Sequence, residues 1–309
     1  MDRTDRSHGA ITRSGARQGQ GPATGPTTVE ARERVAALYS SVAPDYEALG
    51  PPFFAHAGRR LVELAGIAPG SAVLDVAAGR GAVLFPAAER VGPGGRVVGI
   101  DLAAGMVEHT AQAIARRGPA HAEMRRMDAE ALAFPDASFD AVLCSFAIFW
   151  FPDTHRALQE MRRVLKPGGT VGFAFSRGRD PRWRWYDDLL RTFGALHDLP
   201  PLPGHSAIRR EGALPAALAD TGFEALREVV EETELSFADE ETWWRSLWTH
   251  GARIPLERLP PDEVHRFKLA CVPHLRALKT PAGLPERHGF VYITGRAPYA
   301  PSLRCAASL

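Results

Sequence analysis

Lysine is nearly missing from this chain, which holds only Lys166, Lys268 and Lys279 among 309 residues. There is no lysine-rich tract, and Lys+Arg 37 against Asp+Glu 36 leaves a formal charge of +1. No overall field draws the chain to nucleic acid or to an anionic membrane. Cysteine is also scarce: Cys144, Cys271 and Cys305 lie far apart and form neither a CxxC pair nor a zinc-ligand spacing. That excludes a disulfide scaffold, and no metal site is expected. Cys144 and Cys271 sit in apolar stretches and read as inert thiols in a reducing compartment. The longest apolar run, "AVLCSFAIFWF", is about half the ~20 residues of a membrane-crossing helix. The stretch up to Thr28 has charges and glycines where a secretory signal would have an apolar segment. A soluble, cytoplasmic protein with a small-molecule partner is therefore expected, without nucleic acid or membrane; nothing in the chain points to an oligomeric state.

Residues 1–28 carry too little apolar content to fold and are expected to form a disordered tail. Two amphipathic helices are expected over residues 29–66, joined through prolines. Strands and helices then alternate, as in a parallel sheet. The strands are "AVLDV", "RVVGID", a third near "AEMRRMDA", "SFDAVLCSF" and, after a "KPGG" turn, "TVGFAFS". "LREVVEETELSF" and "GFVYITGRAP" read as the last two. Two aromatic and proline-rich segments, 180–210 and 238–288, break this rhythm and read as insertions capping a ligand site. One domain over 29–300 and a short tail over 301–309 complete the organisation.

The stretch "VLDVAAGRGA" is an apolar strand that stops at Asp75 and enters a glycine turn. A dinucleotide fingerprint would need a third glycine where Leu84 stands, and a phosphate loop would need Gly-Lys-Ser/Thr, which does not follow. Asp75 would also repel a pyrophosphate. A carboxylate beside glycine amides suits a ligand with a cationic group near its polar end, and S-adenosylmethionine, with its ammonium and sulfonium, is such a ligand. Asp101 closes the next strand, where a carboxylate can accept both ribose hydroxyls, a feature shared with nicotinamide enzymes. Asp128 and Ala129 follow the third strand, where a carboxylate and an amide can read an adenine edge.

From about Tyr39 to Ser176 the sequence resembles the class I S-adenosylmethionine-dependent methyltransferases. It is most similar to their small-molecule branch, typified by ubiquinone/menaquinone-biosynthesis and natural-product methyltransferases. The carriers are "LDVAAGRGA", "VVGIDLAAGMV", "MDAEALAFPDASFDAV" and "RVLKPGGTVGFAFS". The resemblance implies an α/β fold: a Rossmann-like, seven-stranded, mostly parallel sheet with a reversed edge strand, to which "GFVYITGRAP" is assigned, plus helical cap insertions. It places Asp75, Ala77, Gly79 and Gly81 at the methionine end and Asp101 on the ribose. Leu102 and Met106 should flank the adenine, with Asp128 and Ala129 on its edge. Ser145 should lie beside the ligand and Tyr39 over the methionine carboxylate. Ala77 stands where the broader family has its first glycine.

Methyl transfer from a sulfonium is an in-line displacement that needs alignment and exclusion of water, not a metal. After the fourth strand the chain reads "SFAIFWFPD", without the polar acceptor and prolines of nucleobase-amine methyltransferases. Tyr46, Phe54, Phe146, Phe149, Trp150 and Phe151 point instead to an apolar or aromatic acceptor. Trp183, Trp185, Tyr186, Trp243, Trp244 and Trp248 lie in the insertions, and about half of these six are expected to face substrate. Trp183, Tyr186 and Trp248 are the ones assigned to it. His250 is the candidate general base for a hydroxyl acceptor, ahead of His56 and His155. Arg182, Arg184, Arg209, Arg210 and Arg245 read as solvated surface. Two other functions remain open at this stage. One is a protein of the same fold that keeps the cofactor but performs cyclisation or binding. The other is a nicotinamide-dependent oxidoreductase, disfavoured by Leu84 and Asp75.

Overall fold

The computed structural model describes residues 28–178, 180–197, 208 and 210–299. Of the tail expected over 1–28, residues 1–27 lie outside the described residues and Thr28 opens a helix instead; the tail expected over 301–309, and residues 198–207 and 209 of the first insertion, also lie outside them. Seven strands form one sheet in the order β3-β2-β1-β4-β5-β7-β6. They are β1 (Ala72–Val76), β2 (Arg96–Asp101), β3 (Ala122–Arg126), β4 (Phe139–Ser145), β5 (Leu165–Ser176), β6 (Glu224–Phe237) and β7 (Leu284–Arg296). The helices are α1 (Thr28–Val42), α2 (Phe53–Leu64), α3 (Leu84–Val91), α4 (Ala104–Arg117), α5 (Thr154–Val164), α6 (Arg184–Thr192), α7 (Ala213–Asp220), α8 (Glu240–Ser246), α9 (Arg253–Leu256) and α10 (Pro261–Leu278).

Strands β1 to β5 pair in parallel, and their side chains alternate between two buried faces. Val73 packs with α2 and α3 on one face; Leu74 and Val76 pack with α5 and α7 on the other. Burial on both faces explains why these strands read as continuous apolar runs rather than as alternating ones. The sheet turns where β1 lies between β2 and β4, and crossovers leave that point in both directions. Such a switch opens a crevice at the strands' carboxyl ends.

Two sequence expectations change. The reversed strand β7 stands one place inside the edge, antiparallel to β5 on one side and β6 on the other. Phe290, Val291, Tyr292 and Ile293 are all buried and suit an interior strand. β6 bears Glu228, Glu231, Glu232 and Glu234, and charge of that kind is what protects an open sheet edge. The "KPGG" segment is no separate turn but part of β5, where the register against β4 shifts between Phe139 and Ala141.

Leu84 occupies the position where a dinucleotide fold has its third glycine, and it is completely buried. The room comes from β2: a Cβ on Gly99 would stand 2.6 Å from Leu84 Cδ1. The small residue that lets α3 approach the sheet is therefore on the neighbouring strand.

The insertions build a second core of their own. Trp183, Tyr186, Trp243, Trp244, Phe267 and Cys271 are buried together, with Trp185 and Trp248 against them. This cap is fastened to the sheet by Asp180. Its carboxylate accepts from the Arg287 amide of β7 at 2.8 Å and from the Arg182 guanidinium, which also reaches Glu234 of β6. Burial works against the Asp180 charge, but Arg182 and the two backbone amides outweigh it and hold the carboxyl down at about 2. A depressed carboxyl stabilises the fold above its unfolded pKa of about 3.9, and that stabilisation is lost as pH falls toward 2. Asp180→Asn should cost about 1–3 kcal/mol near neutral pH. Thermal melts between pH 5 and 2 should show a shallower acid dependence in the variant; equal slopes would remove Asp180 as the acid-sensitive fastening.

Candidate active site

The crevice holds about 1080 Å³ of space, counting its open mouth. Its floor is the turn between β1 and α3. Ala77, Gly79 and Gly81 all take positive φ (55°, 51° and 84°), so the chain curls tightly enough to present amides upward. Asp101, at the end of β2, holds this turn. Its Oδ2 accepts from Gly79 N and its Oδ1 from Ala103 N, each at 2.9 Å, which joins the turn to the start of α4. Thr110 of α4 donates to Gly79 O at 2.7 Å and completes the brace.

Asp75 is 1% exposed and lines the crevice; its Oδ2 has no hydrogen-bond partner among the described residues. Ser145 Oγ, at the end of β4, is likewise buried without one. Burial, together with the nearby Asp101 charge, raises the Asp75 carboxyl well above its ordinary range. Burial raises Asp101 too, against the amides of Ala103 and Gly79, which lower it. Two carboxyls deprived of solvent and facing one cavity fit a cationic ligand, since a cation restores the charged form of both. The cavity thus fits the ammonium and sulfonium of S-adenosylmethionine and is poorly suited to a pyrophosphate.

Of the residues assigned to the cofactor, Tyr39, Asp75, Ala77, Gly79, Asp101, Leu102, Met106, Asp128, Ala129 and Ser145 line this cavity. Gly81 does not. Its amide donates to Ala78 O and its carbonyl accepts from Phe85 N, while a Cβ there would strike the Phe85 ring at 2.7 Å. It shapes the turn from behind. After β3, Asp128 Oδ1 accepts from Glu130 N at 2.9 Å, and its Oδ2 lies 3.6 Å from the Arg32 guanidinium of α1. Arg32 also binds Glu130, whose carboxylate accepts from Asp153 N at 2.9 Å. α1 is thereby tied across the mouth of the crevice.

Among the substrate assignments, Tyr46, Phe54 and Trp150 line the cavity, together with Phe146 and Phe151. Tyr46 stacks on Phe54 at 5.3 Å, Phe54 meets Phe146 edge-on at 5.3 Å, and Tyr39 meets Trp150 edge-on at 5.5 Å. Phe149, 6% exposed, turns into the sheet core instead. Trp183, Tyr186 and Trp248 are not in the cavity, and neither are Trp185, Trp243 and Trp244. All six belong to the cap core; Trp183 is 1% exposed and its indole donates to Pro285 O at 3.0 Å. Indoles at helical spacing packed on one another, because the cap has no sheet of its own against which to bury a face.

His250 stands behind Phe54, with ring centroids 6.5 Å apart, and its Nδ1 accepts from Ala252 N at 3.2 Å. It does not line the cavity, so the general-base assignment is corrected. His56 pairs with the Thr233 hydroxyl and His155 with Gln159, both outside the cavity. Arg182, Arg184, Arg210 and Arg245 are exposed, and Arg209 lies outside the described residues.

Sequence reasoning missed Arg32, Val35 and Ala36, which line the cavity from α1 along with Tyr39. Their spacing of three, four and seven is one helix face, and that periodicity was the available signal. It also missed Arg80, which reaches from the glycine turn to the carbonyls of Ala43 and Pro44, and Glu47.

Residues 73–169 match the family of methyltransferase domains. Nocamycin O-methyltransferase of Saccharothrix syringae is 35% identical over 271 residues, spanning 84% of this chain and 97% of that protein. Aklanonic acid methyltransferase DauC of Streptomyces sp. (strain C5) is 40% identical over 142 residues, spanning 46% of this chain and 64% of that protein. The crystal structure of the cyclase SpnF aligns with a TM-score of 0.52 over 89% of this chain and 97% of that one. Its identity is 22%, so that likeness is one of fold.

The positive φ of Ala77 carries a test of the turn. Ala77→Gly should raise stability by about 0.5–1 kcal/mol, because a left-handed alanine is strained and glycine is not. Denaturant melts would show the gain; a loss would mean that the Ala77 methyl contributes packing larger than the strain.

Proposed function

The chain belongs to the class I S-adenosylmethionine-dependent methyltransferases acting on small molecules, and from that premise we propose that its acceptor is a largely apolar, aromatic metabolite. The supporting observation is continuity: the carboxylate-lined end of the crevice passes directly into a wall of Tyr46, Phe54, Phe146, Trp150 and Phe151. An apolar lining with a few placed polar groups is the usual make-up of a small-molecule site. By name, the two curated relatives are a nocamycin and an aklanonic acid methyltransferase. This supports a place in bacterial natural-product metabolism.

S-adenosylmethionine supplies an activated methyl group on a positively charged sulfur. Asp75, with Ser145 near it, would hold the polar methionine end, Asp101 the ribose, and Asp128 with Ala129 the adenine edge. Each oxygen of Asp101 already accepts one amide, which fixes the carboxylate and leaves further lone pairs for hydroxyls. The protein's part in transfer is to align the acceptor in line and to exclude water. α1 and the aromatic wall serve that purpose. The second insertion buttresses them from outside: a Cβ on Gly251 would stand 3.5 Å from the Tyr39 hydroxyl and 3.7 Å from the Trp150 ring. The cap thus supports the roof rather than lining the pocket. No histidine is required as a base in this reading.

Asp101→Asn should weaken S-adenosylmethionine by about 1.5–3 kcal/mol. Trp150→Ala should leave cofactor affinity within about threefold, ~0.7 kcal/mol, while removing acceptor binding. Calorimetry with S-adenosylhomocysteine measures the first effect. Transfer of a radiolabelled methyl group to phenolic and other aromatic acceptors measures the second. Cofactor binding without any labelled product would turn the reading toward cyclisation or binding on the same fold.

A further inference from the structure

Four carboxylates line the crevice among the described residues, Glu47, Asp75, Asp101 and Asp128, and of these Asp75 alone is buried, at 1% exposure. They differ in the donors they receive. Asp101 accepts from the amides of Gly79, Ala103 and Leu102. Asp128 accepts from Glu130 N and lies 3.6 Å from Arg32. Glu47, left-handed at φ 57°, folds back on the first turn of α2, where its Oε1 accepts from Phe54 N at 2.7 Å and Ala55 N at 2.9 Å. Asp75 accepts from one amide, Leu84 N at the start of α3, and its Oδ2 accepts from nothing among the described residues. The groups around it do not make up the difference. β2 brings Asp101, itself an acid, and β4 brings Cys144 and Ser145. Burial, with the Asp75 charge adding to it, raises the Cys144 thiol, so that group stays neutral. The Tyr46 phenol is raised by burial as well. Two guanidinium groups line the same cavity, but Arg32 bonds Glu130, and Arg80 bonds the carbonyls of Ala43 and Pro44.

We propose that the cofactor enters by exchanging a cation for a proton: the ligand-free protein carries a proton on Asp75, and the ammonium of S-adenosylmethionine or S-adenosylhomocysteine displaces it to solvent. This rests on the cofactor reading above, which puts the methionine end at Asp75. A carboxylate shut away from water, with a second acid beside it and one amide to stabilise its charge, is favoured as the neutral acid. Asp101 receives three amides and keeps its charge more readily, so the proton held by the pair settles on Asp75. Burial raises the Asp75 carboxyl well above its ordinary range, with the Leu84 amide opposing and Asp101 adding to the rise, in keeping with that geometry. An ammonium placed against Oδ2 reverses the balance. The O–H bond of Asp75 breaks, its proton passes to water, and the ligand keeps all of its own. Methyl transfer leaves the ammonium in place on S-adenosylhomocysteine, so the proton returns only when the product departs. Acid thus favours product release, and affinity rises with pH until Asp75 of the ligand-free protein is ionised.

Calorimetry in two buffers of different ionisation enthalpy, phosphate and Bis-Tris, counts the protons released on binding. Near pH 6, below the ionisation of the ligand's own amine at about 8, S-adenosylhomocysteine should release about half to one proton. Its affinity should rise between about pH 5 and 7, by at most about tenfold per pH unit. The neutral probe 5′-methylthioadenosine, which keeps the nucleoside and thioether but has no ammonium, should bind with no release and no such slope. No histidine lines the cavity among the described residues, so no imidazole there confuses the comparison. Asp75→Asn keeps an oxygen for the Leu84 amide and has no proton to give, so it should take S-adenosylhomocysteine more weakly and without release. A merely structural Asp75 would leave the proton count unchanged in the folded variant. Release below about a quarter of a proton by the wild type, equal release with both probes, or undiminished release from Asp75→Asn overturns the proposal. The wild-type count does not depend on any variant folding. Protein that takes neither probe overturns the cofactor reading, and this inference with it; S-adenosylhomocysteine bound without proton release overturns this inference alone.

Discussion

Both oxygens of Asp101 accept backbone amides, one from the glycine turn after β1 and one from the start of α4. The functional architecture depends on that pair of bonds. Without them the turn at Ala77–Gly81, three of whose residues are held at positive φ, would keep only the bond from the Ala78 amide to Ile100 O on the neighbouring strand. Asp75 would lose its position at the floor of the crevice. A carboxylate can do this and still bind a ligand because each oxygen has lone pairs to spare. It carries a cost: burial raises the carboxyls of both Asp101 and Asp75. The same strain on the charged form that makes the site costly to fold makes it receptive to a cation.

Around this floor the molecule divides its aromatic residues between two tasks. One set, from the α1–α2 segment and the loop after β4, forms a continuous wall over the crevice. The other, from the two insertions, packs on itself as a small core pinned to β6 and β7 through Asp180 and Arg182. The second insertion approaches the wall where Gly251 comes near Tyr39 and Trp150 and where His250 comes near Phe54. The cavity wall and the buttressing core are thus separate sets of residues.

α1 closes the site from above, and its contacts show how the two ends of the crevice are linked. Arg32 joins it to Asp128 and Glu130 at one end, while Tyr39 meets Trp150 at the aromatic end. Glu130 also accepts from Asp153, whose side chain caps α5 just after the aromatic loop. One short chain of ionic and backbone contacts therefore spans from Asp128 to the loop that carries the aromatic wall.

That Asp75, Asp101 and Asp128 meet at one crevice was legible in the sequence because the arrangement is local. Asp75, Asp101 and Asp128 each end or follow a strand, the glycines mark the turn, and parallel pairing brings strand ends together with no further information. Leu84 was read correctly as a departure from dinucleotide binding, although only the sheet shows that Gly99 makes room for it. The interior place of β7 was also written in its residues, since four consecutive buried apolar side chains suit an interior strand and glutamates suit an edge. What the sequence could not decide was the direction faced by residues whose surroundings come from distant segments. Trp183, Tyr186 and Trp248 have the composition of a pocket and the positions of a core. His250 sits beside the pocket, one ring behind Phe54. Glu47 enters the site only because a left-handed residue folds back on the first turn of α2. Periodicity reports which side of an element is apolar; which apolar partner that side meets is fixed by packing among segments far apart in the chain, and only the tertiary structure decides it.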